Sequence, residues 1–188
     1  MIKKLYFLPV LLALILVTPV LAIDPPVSTK SAIRQEFQTK LAALKDEKKK
    51  ALVTKLDARL NEINKKHTDL MFATIARLEE HLQKLQVRID NAKTAGKETS
   101  SIQALLTSAT SEITSARTTV STQATKIYTI NITTESALKT NFGTIRSTLA
   151  KDLNTTHRSV QTARSAVIDI IIALAKLVGE PITKEITK

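Results

Sequence analysis

Apolar residues recur every three or four positions from Ile33 to Leu177, with no proline between Val27 and Glu180. Glycine occurs in the chain only at positions 96, 143 and 179. Proline breaks helix interiors and glycine costs about 1 kcal/mol there relative to alanine, so this spacing predicts helix almost throughout. The first stripe runs Ile33, Phe37, Leu41, Leu44, Leu52, Leu56, Leu60, Ile63, His67 and Leu70. It continues as Met71, Ile75, Leu78, Leu82, Leu85, Ile89 and Ala92. The early steps of four, four and three form an eleven-residue repeat, whereas those from Met71 alternate four and three, the left-handed coiled-coil period. The pattern predicts one very long first helix over 29–95, about 100 Å at 1.5 Å per residue. Ser28, Thr29 or Ser31 can cap its start, and Gly96 supplies a left-handed stop.

Ser100-Ser101-Ile102-Gln103 has the form of a capping box, which predicts a second helix over 100–127. Its stripe reads Ile102, Leu105, Ala109, Ile113, Ala116, Val120, Ala124 and Ile127. The short connection at Gly96 turns this helix back along the first. From Lys126 to Thr134 the pattern changes: Tyr128, Ile130 and Ile132 alternate with polar residues, the mark of an extended crossover or a strained kink. A third helix over 134–178, capped by Thr133 or Thr134, follows with Leu138, Phe142, Ile145, Leu149, Val160, Ala163, Val167, Ile170, Leu174 and Leu177. Asp152 and Thr156 interrupt it, and Gly179 and Pro181 end it.

The fold class is therefore all-α, an elongated antiparallel coiled-coil-like helical hairpin or three-helix bundle with one very long N-terminal helix. Whether the second and third helices are collinear or reverse near Asn131 stays open. A single helical domain over 29–178 is framed by an extended lead-in over 23–28 and a tail over 179–188. Serine and threonine are concentrated between Thr99 and Ser165, which lowers intrinsic helicity and makes those helices dependent on packing.

Val167, Ile168, Ile170, Ile171, Ile172, Leu174, Leu177 and Val178 make the most apolar part of that domain. They fall on two adjacent helical stripes, so they need more than one neighbour. With either arrangement after Asn131, a count along the helices places this segment beyond the end of the first helix. Each buried Val, Leu or Ile is worth about 1.5–3 kcal/mol, so an overhang of this kind marks a candidate association patch. The expected occupant is a second copy or another envelope protein.

The first residues carry a different pattern. Met1-Ile2-Lys3-Lys4, an apolar run from Leu5 to Val17, and Val20-Leu21-Ala22 match a secretory signal peptide cleaved after Ala22. The alternative is an uncleaved N-terminal anchor, which Pro9 and Pro19 weaken. An extracytoplasmic location (secreted, periplasmic or cell-surface) of bacterial style is expected. There is no cysteine, so an exported domain must hold together by packing alone.

The formal net charge of +11 is spread along the chain, densest at Lys48-Lys49-Lys50 beside Asp46-Glu47. Such a surface permits weak contact with an anionic membrane surface. With no tryptophan and 3% aromatic residues, stacking on bases is not expected, and no specific nucleic-acid partner is proposed.

Candidate chemistry is sparse. His67, His81 and His157 form no metal-ligand pair in sequence, and no cofactor or metal site is expected. His67 falls on the stripe read as buried. Glu79-Glu80 and Asp46-Glu47 point away from each other on a helix, and no glycine-rich phosphate loop exists. Asn131-Ile-Thr133 and Asn154-Thr-Thr156 match the glycosylation pattern at the frequency a threonine-rich chain produces by chance. A narrow rod also offers little cavity, so neither catalysis nor a small-molecule substrate is expected. The residues point to an exported, non-enzymatic coiled-coil structural or interaction protein of the cell envelope. Its rivals are a holdase-like extracytoplasmic chaperone and an amphipathic membrane-surface binder.

Overall fold

Among the described residues four helices are joined by three connections of different kinds: α1 (Val27–Ala42), α2 (Glu47–Thr94), α3 (Ser100–Thr125) and α4 (Leu138–Val178). The computed structural model describes residues 27–179. The expected signal segment, most of the lead-in and all but the first residue of the tail lie outside the described residues. Among those described, no strand forms and no helix is long and apolar enough to cross a membrane.

The all-helical expectation holds, but the very long first helix does not. The chain breaks at 43–46 and α1 folds back along the lower half of α2, carrying Arg34 to Asp57. No glycine or proline causes this break. Asp46 stops one helix and starts the next: its Oδ1 accepts the amides of Lys48 (2.9 Å) and Lys49 (3.1 Å), an N-cap that satisfies donors the first turn leaves open. Folding back lets Phe37, Leu41 and Leu44 join Val53, Leu60, Tyr128, Ile130, Ile132, Leu149 and Leu153 in a lower core.

The turn after α2 is the one expected. Gly96 takes φ 77°, the amide of Lys97 reaches the carbonyl of Ala92 (3.0 Å) and that of Gly96 reaches Lys93 (2.9 Å). This is a Schellman ending, and its left-handed residue is where glycine carries no Cβ penalty. The capping box at Ser100 does not form. Thr99 is the N-cap without a side-chain bond, and the Glu98 carboxylate instead accepts the Ser100 amide at 2.9 Å.

α3 returns along the upper half of α2, and the two are clamped by a bidentate pair from Arg117 to Glu79. Residues 126–132 then continue downward without helix and 133–137 close in a turn, so that the connection runs from Asn64 (Nδ2 to the Lys126 carbonyl, 3.3 Å) to Lys49 (Nζ to Glu135, 2.8 Å). That descent covers fifteen residues of α2, about 22 Å at 1.5 Å per residue. α4 begins there and runs back up beside both α2 and α3. The chain thus reverses after Asn131, but only after dropping most of the length of the lower half.

That descent removes the overhang expected for the apolar C-terminal segment. Val167, Ile170 and Leu174 are buried in an upper core with Met71, Ile75, Leu78, Leu85, Ile89 and Ala92 of α2 and Ile102, Leu106, Ala109, Ile113, Ala116 and Val120 of α3. Ile171 and Leu177 pack partly against that core. Only Ile168 and Ile172, half-buried, and Val178, exposed, remain turned outward.

The small residues Ala109, Ala116 and Ala163 are completely buried and let α3 and α4 approach closely. Their threonine neighbours do not unravel the helices, because hydroxyls along both helices donate to carbonyls four residues back. Thr114 to Thr110 (2.9 Å) and Thr148 to Thr144 (3.1 Å) are examples.

Candidate binding groove

A row of polar residues on α2 organises the middle of the molecule. Asp57, Asn64 and Thr68 are buried where an apolar seam would be expected, and Asn61 stands half-buried among them. Asp57, Asn61 and Asn64 receive an extended segment that has no neighbouring strand, while Thr68 turns its hydroxyl back onto the Asn64 carbonyl (3.0 Å). Asn61 binds Tyr128 reciprocally: its Nδ2 donates to the Tyr128 carbonyl (2.9 Å) and its Oδ1 accepts the Tyr128 amide (3.0 Å), as an adjacent strand would. Asp57 Oδ1 accepts the Ile130 amide (3.3 Å), while its Oδ2 takes the Arg34 guanidinium. Asn64 donates to the carbonyls of Gln123 (3.1 Å) and Lys126 (3.3 Å), satisfying the open end of α3.

The same layer reaches α4. Gln123 Nε2 donates to Asn64 Oδ1 (2.9 Å) and to the Tyr128 hydroxyl (2.6 Å), which in turn donates to Asp152 Oδ2 (2.7 Å). Lys126 Nζ completes the set on Asp152 at 2.9 Å. Burial and the Asp152 carboxylate hold the Tyr128 phenol well above its ordinary ionisation range. Burial would raise the Asp152 carboxyl, but its bonds from Lys126 and Tyr128 outweigh that and leave it below its ordinary value. Asp152, which interrupts the apolar stripe of α4, is therefore a partner of the crossover, and Thr156 turns its hydroxyl back onto the Asp152 carbonyl (2.9 Å).

Turning polar residues toward the crossover rotates the predicted apolar stripe of α2 off to the side. Val53 rather than Leu52 is buried, and Leu106 takes the core position expected of Leu105. Leu52 is left 55% exposed and Leu70 59%. Between them Leu56, Leu60 and Ile63 form one wall of an open groove of about 600 Å3, faced by Phe142, Leu149 and Leu153 of α4. No residue of α1, α3 or the crossover lines it.

Basic side chains edge this apolar floor. Arg59 and His67 line it from α2, Arg146 and His157 from α4, and no carboxylate is among the lining residues. Arg59 carries an exposed pair with Glu62 (2.7 Å), while Arg146 makes no hydrogen bond or ion pair with any described residue. His67 is exposed at this rim rather than buried in a seam, and His81 and His157 are exposed as well. Among the described residues no group of three acidic, histidine or cysteine side chains is placed to hold a metal ion.

The sequence reading placed the candidate patch at 167–178 and missed both the polar layer and the groove. A signal for the layer existed: Asp57, Asn61, Asn64 and Thr68 themselves repeat at steps of four, three and four. Comparison with protein-family models, curated proteins and solved structures found no match.

Proposed function

We propose that this chain is an exported, non-enzymatic helical scaffold of the cell envelope whose working surface is the seam left open between α2 and α4. The observation that carries the reading is the run Leu52, Leu56, Ile63 and Leu70, in which Leu52 and Leu70 are exposed and Leu56 and Ile63 half-buried. Apolar residues at seam spacing are ordinarily buried, yet here the fold spends the neighbouring polar positions on its own crossover and leaves this run partly open. The signal-like start of the sequence supports export. The polar side chains of the mid-bundle layer are engaged with one another and with backbone, which supports a structural rather than a catalytic part for them. Ile168, Ile172 and Val178 offer a smaller second surface for self-association.

The test is a photo-crosslinking amino acid placed at Leu70 in the exported full chain, with Val87 as the control because it is equally exposed on the upper half. Adducts at Leu70 and none at Val87 are expected, identified by mass. Equal labelling at both positions, or none at either, overturns the reading.

A further inference from the structure

We infer that the groove between α2 and α4 is a binding site for a single-chain anionic amphiphile, a hydrocarbon tail ending in a carboxylate or phosphate. This rests on the reading of that groove as the working surface and adds the chemistry of its occupant.

Shape comes first. The groove runs from Leu56 to Met71 on one wall and from Phe142 to His157 on the other, fifteen residues of helix on each side. That is a length of about 22 Å. Drawn out over that length, about 600 Å3 makes a long and narrow groove. This admits one methylene chain, whose carbons sit about 4 Å from their neighbours. The volume also falls within the roughly 300–1,000 Å3 usual for small-ligand sites.

Charge then fixes the head group. The floor is hydrocarbon, supplied by Leu56, Leu60, Ile63, Phe142, Leu149 and Leu153, and the polar groups at the rim are Arg59, Arg146, His67, His157 and Asn154. With Arg59 held by Glu62, the guanidinium of Arg146 beside an apolar slot lined by no carboxylate disfavours a cationic amphiphile and favours an anionic head group over a neutral one. Arg146 is the more telling of the two, since no acidic side chain among the described residues pairs with it. A guanidinium binds carboxylate or phosphate through two parallel hydrogen bonds, so either head group satisfies it. The same positive rim disfavours a second copy applied face to face.

The experiment uses the exported chain and a fluorescent sixteen-carbon fatty acid, displaced in separate arms by palmitate, lysophosphatidylglycerol, hexadecyltrimethylammonium and intact phosphatidylglycerol vesicles. Saturable one-to-one binding is expected, with displacement by one or both single-chain anions and none by the cation. Palmitate acting alone assigns a free fatty acid, and lysophosphatidylglycerol acting alone assigns a lipid phosphate. Arg146→Glu combined with Arg59→Gln weakens binding by tenfold or more with helicity unchanged, and Ile63→Glu, at a half-buried floor position, abolishes it.

Displacement by the cationic chain as effectively as by palmitate overturns the proposal. So do binding unchanged by the arginine substitutions, displacement by vesicles only, and absence of binding to any arm. Absence of binding together with a protein adduct at Leu70 in the crosslinking experiment removes the amphiphile while retaining the open seam as an interaction surface. Absence of both removes the two together.

Discussion

Tyr128 is the residue on which three elements converge. Its backbone is held by Asn61 of α2, and its hydroxyl lies between Gln123 of α3 and Asp152 of α4. Tyr128→Phe removes both hydroxyl bonds and leaves the buried Gln123 and the half-buried Asp152 underserved, a cost of about 1–3 kcal/mol read from urea unfolding at neutral pH. The pH dependence has a definite sign. The folded phenol is raised above the ordinary tyrosine value of about 10, so below that pH both states keep the proton and the full contribution is present. As the pH rises further, the unfolded chain ionises while the folded one does not, and stability falls. The gap between the native protein and Tyr128→Phe therefore narrows between pH 8 and pH 11; a constant gap would refute the assignment. Nothing in the apolar pattern announces this arrangement, because a tyrosine alternating with isoleucines reads as a strand edge and its partners lie 67, 24 and 5 residues away.

At the scale of elements, the clearest departure from the sequence pattern is the break at 43–46. Helical spacing continues through it, since local propensity sees no glycine or proline to stop at. What bends the chain is the lower core: Phe37, Leu41 and Leu44 gain buried neighbours only if α1 reverses. The local aid is Asp46, so Asp46→Ala lowers the thermal stability by about 1 kcal/mol. Circular dichroism is expected to show no loss of helix, because the four freed residues can join the flanking helices. By contrast, the Gly96 turn was legible, for a left-handed glycine after the last seam residue is a local instruction. The start of α3 shows the limit of such rules: the expected capping box gave way because Glu98, one residue before the cap, reached the same amide first.

For the whole molecule, the polar layer at Asn64, Gln123 and Tyr128 lies between two different constructions. Above it, three continuous helices share one apolar core; below it, α1 and an extended crossover complete the packing around α2 and α4. Extended chain and a short helix bring fewer apolar contacts per residue than a full helix does, so the lower part opens at lower free energy. Hydrogen exchange is expected to show the amides of α1 and the lower turns of α4 exchanging well before Ile75, Ile113 and Ile170. Uniform protection along α4 would contradict this.

The sequence by itself determined the helical class, the seam from Met71 to Ala92, the turn at Gly96 and the interruption after Thr125. Each follows from the preferences of neighbouring residues and from a period that one helix carries alone. The tertiary structure decided the reversal of α1, the burial of Asp57, Asn64 and Gln123, the covering of Val167, Ile170 and Leu174, and the open groove. Those depend on how far an extended segment descends before α4 begins. That distance is set by hydrogen bonds between residues far apart in the chain, which no periodicity records.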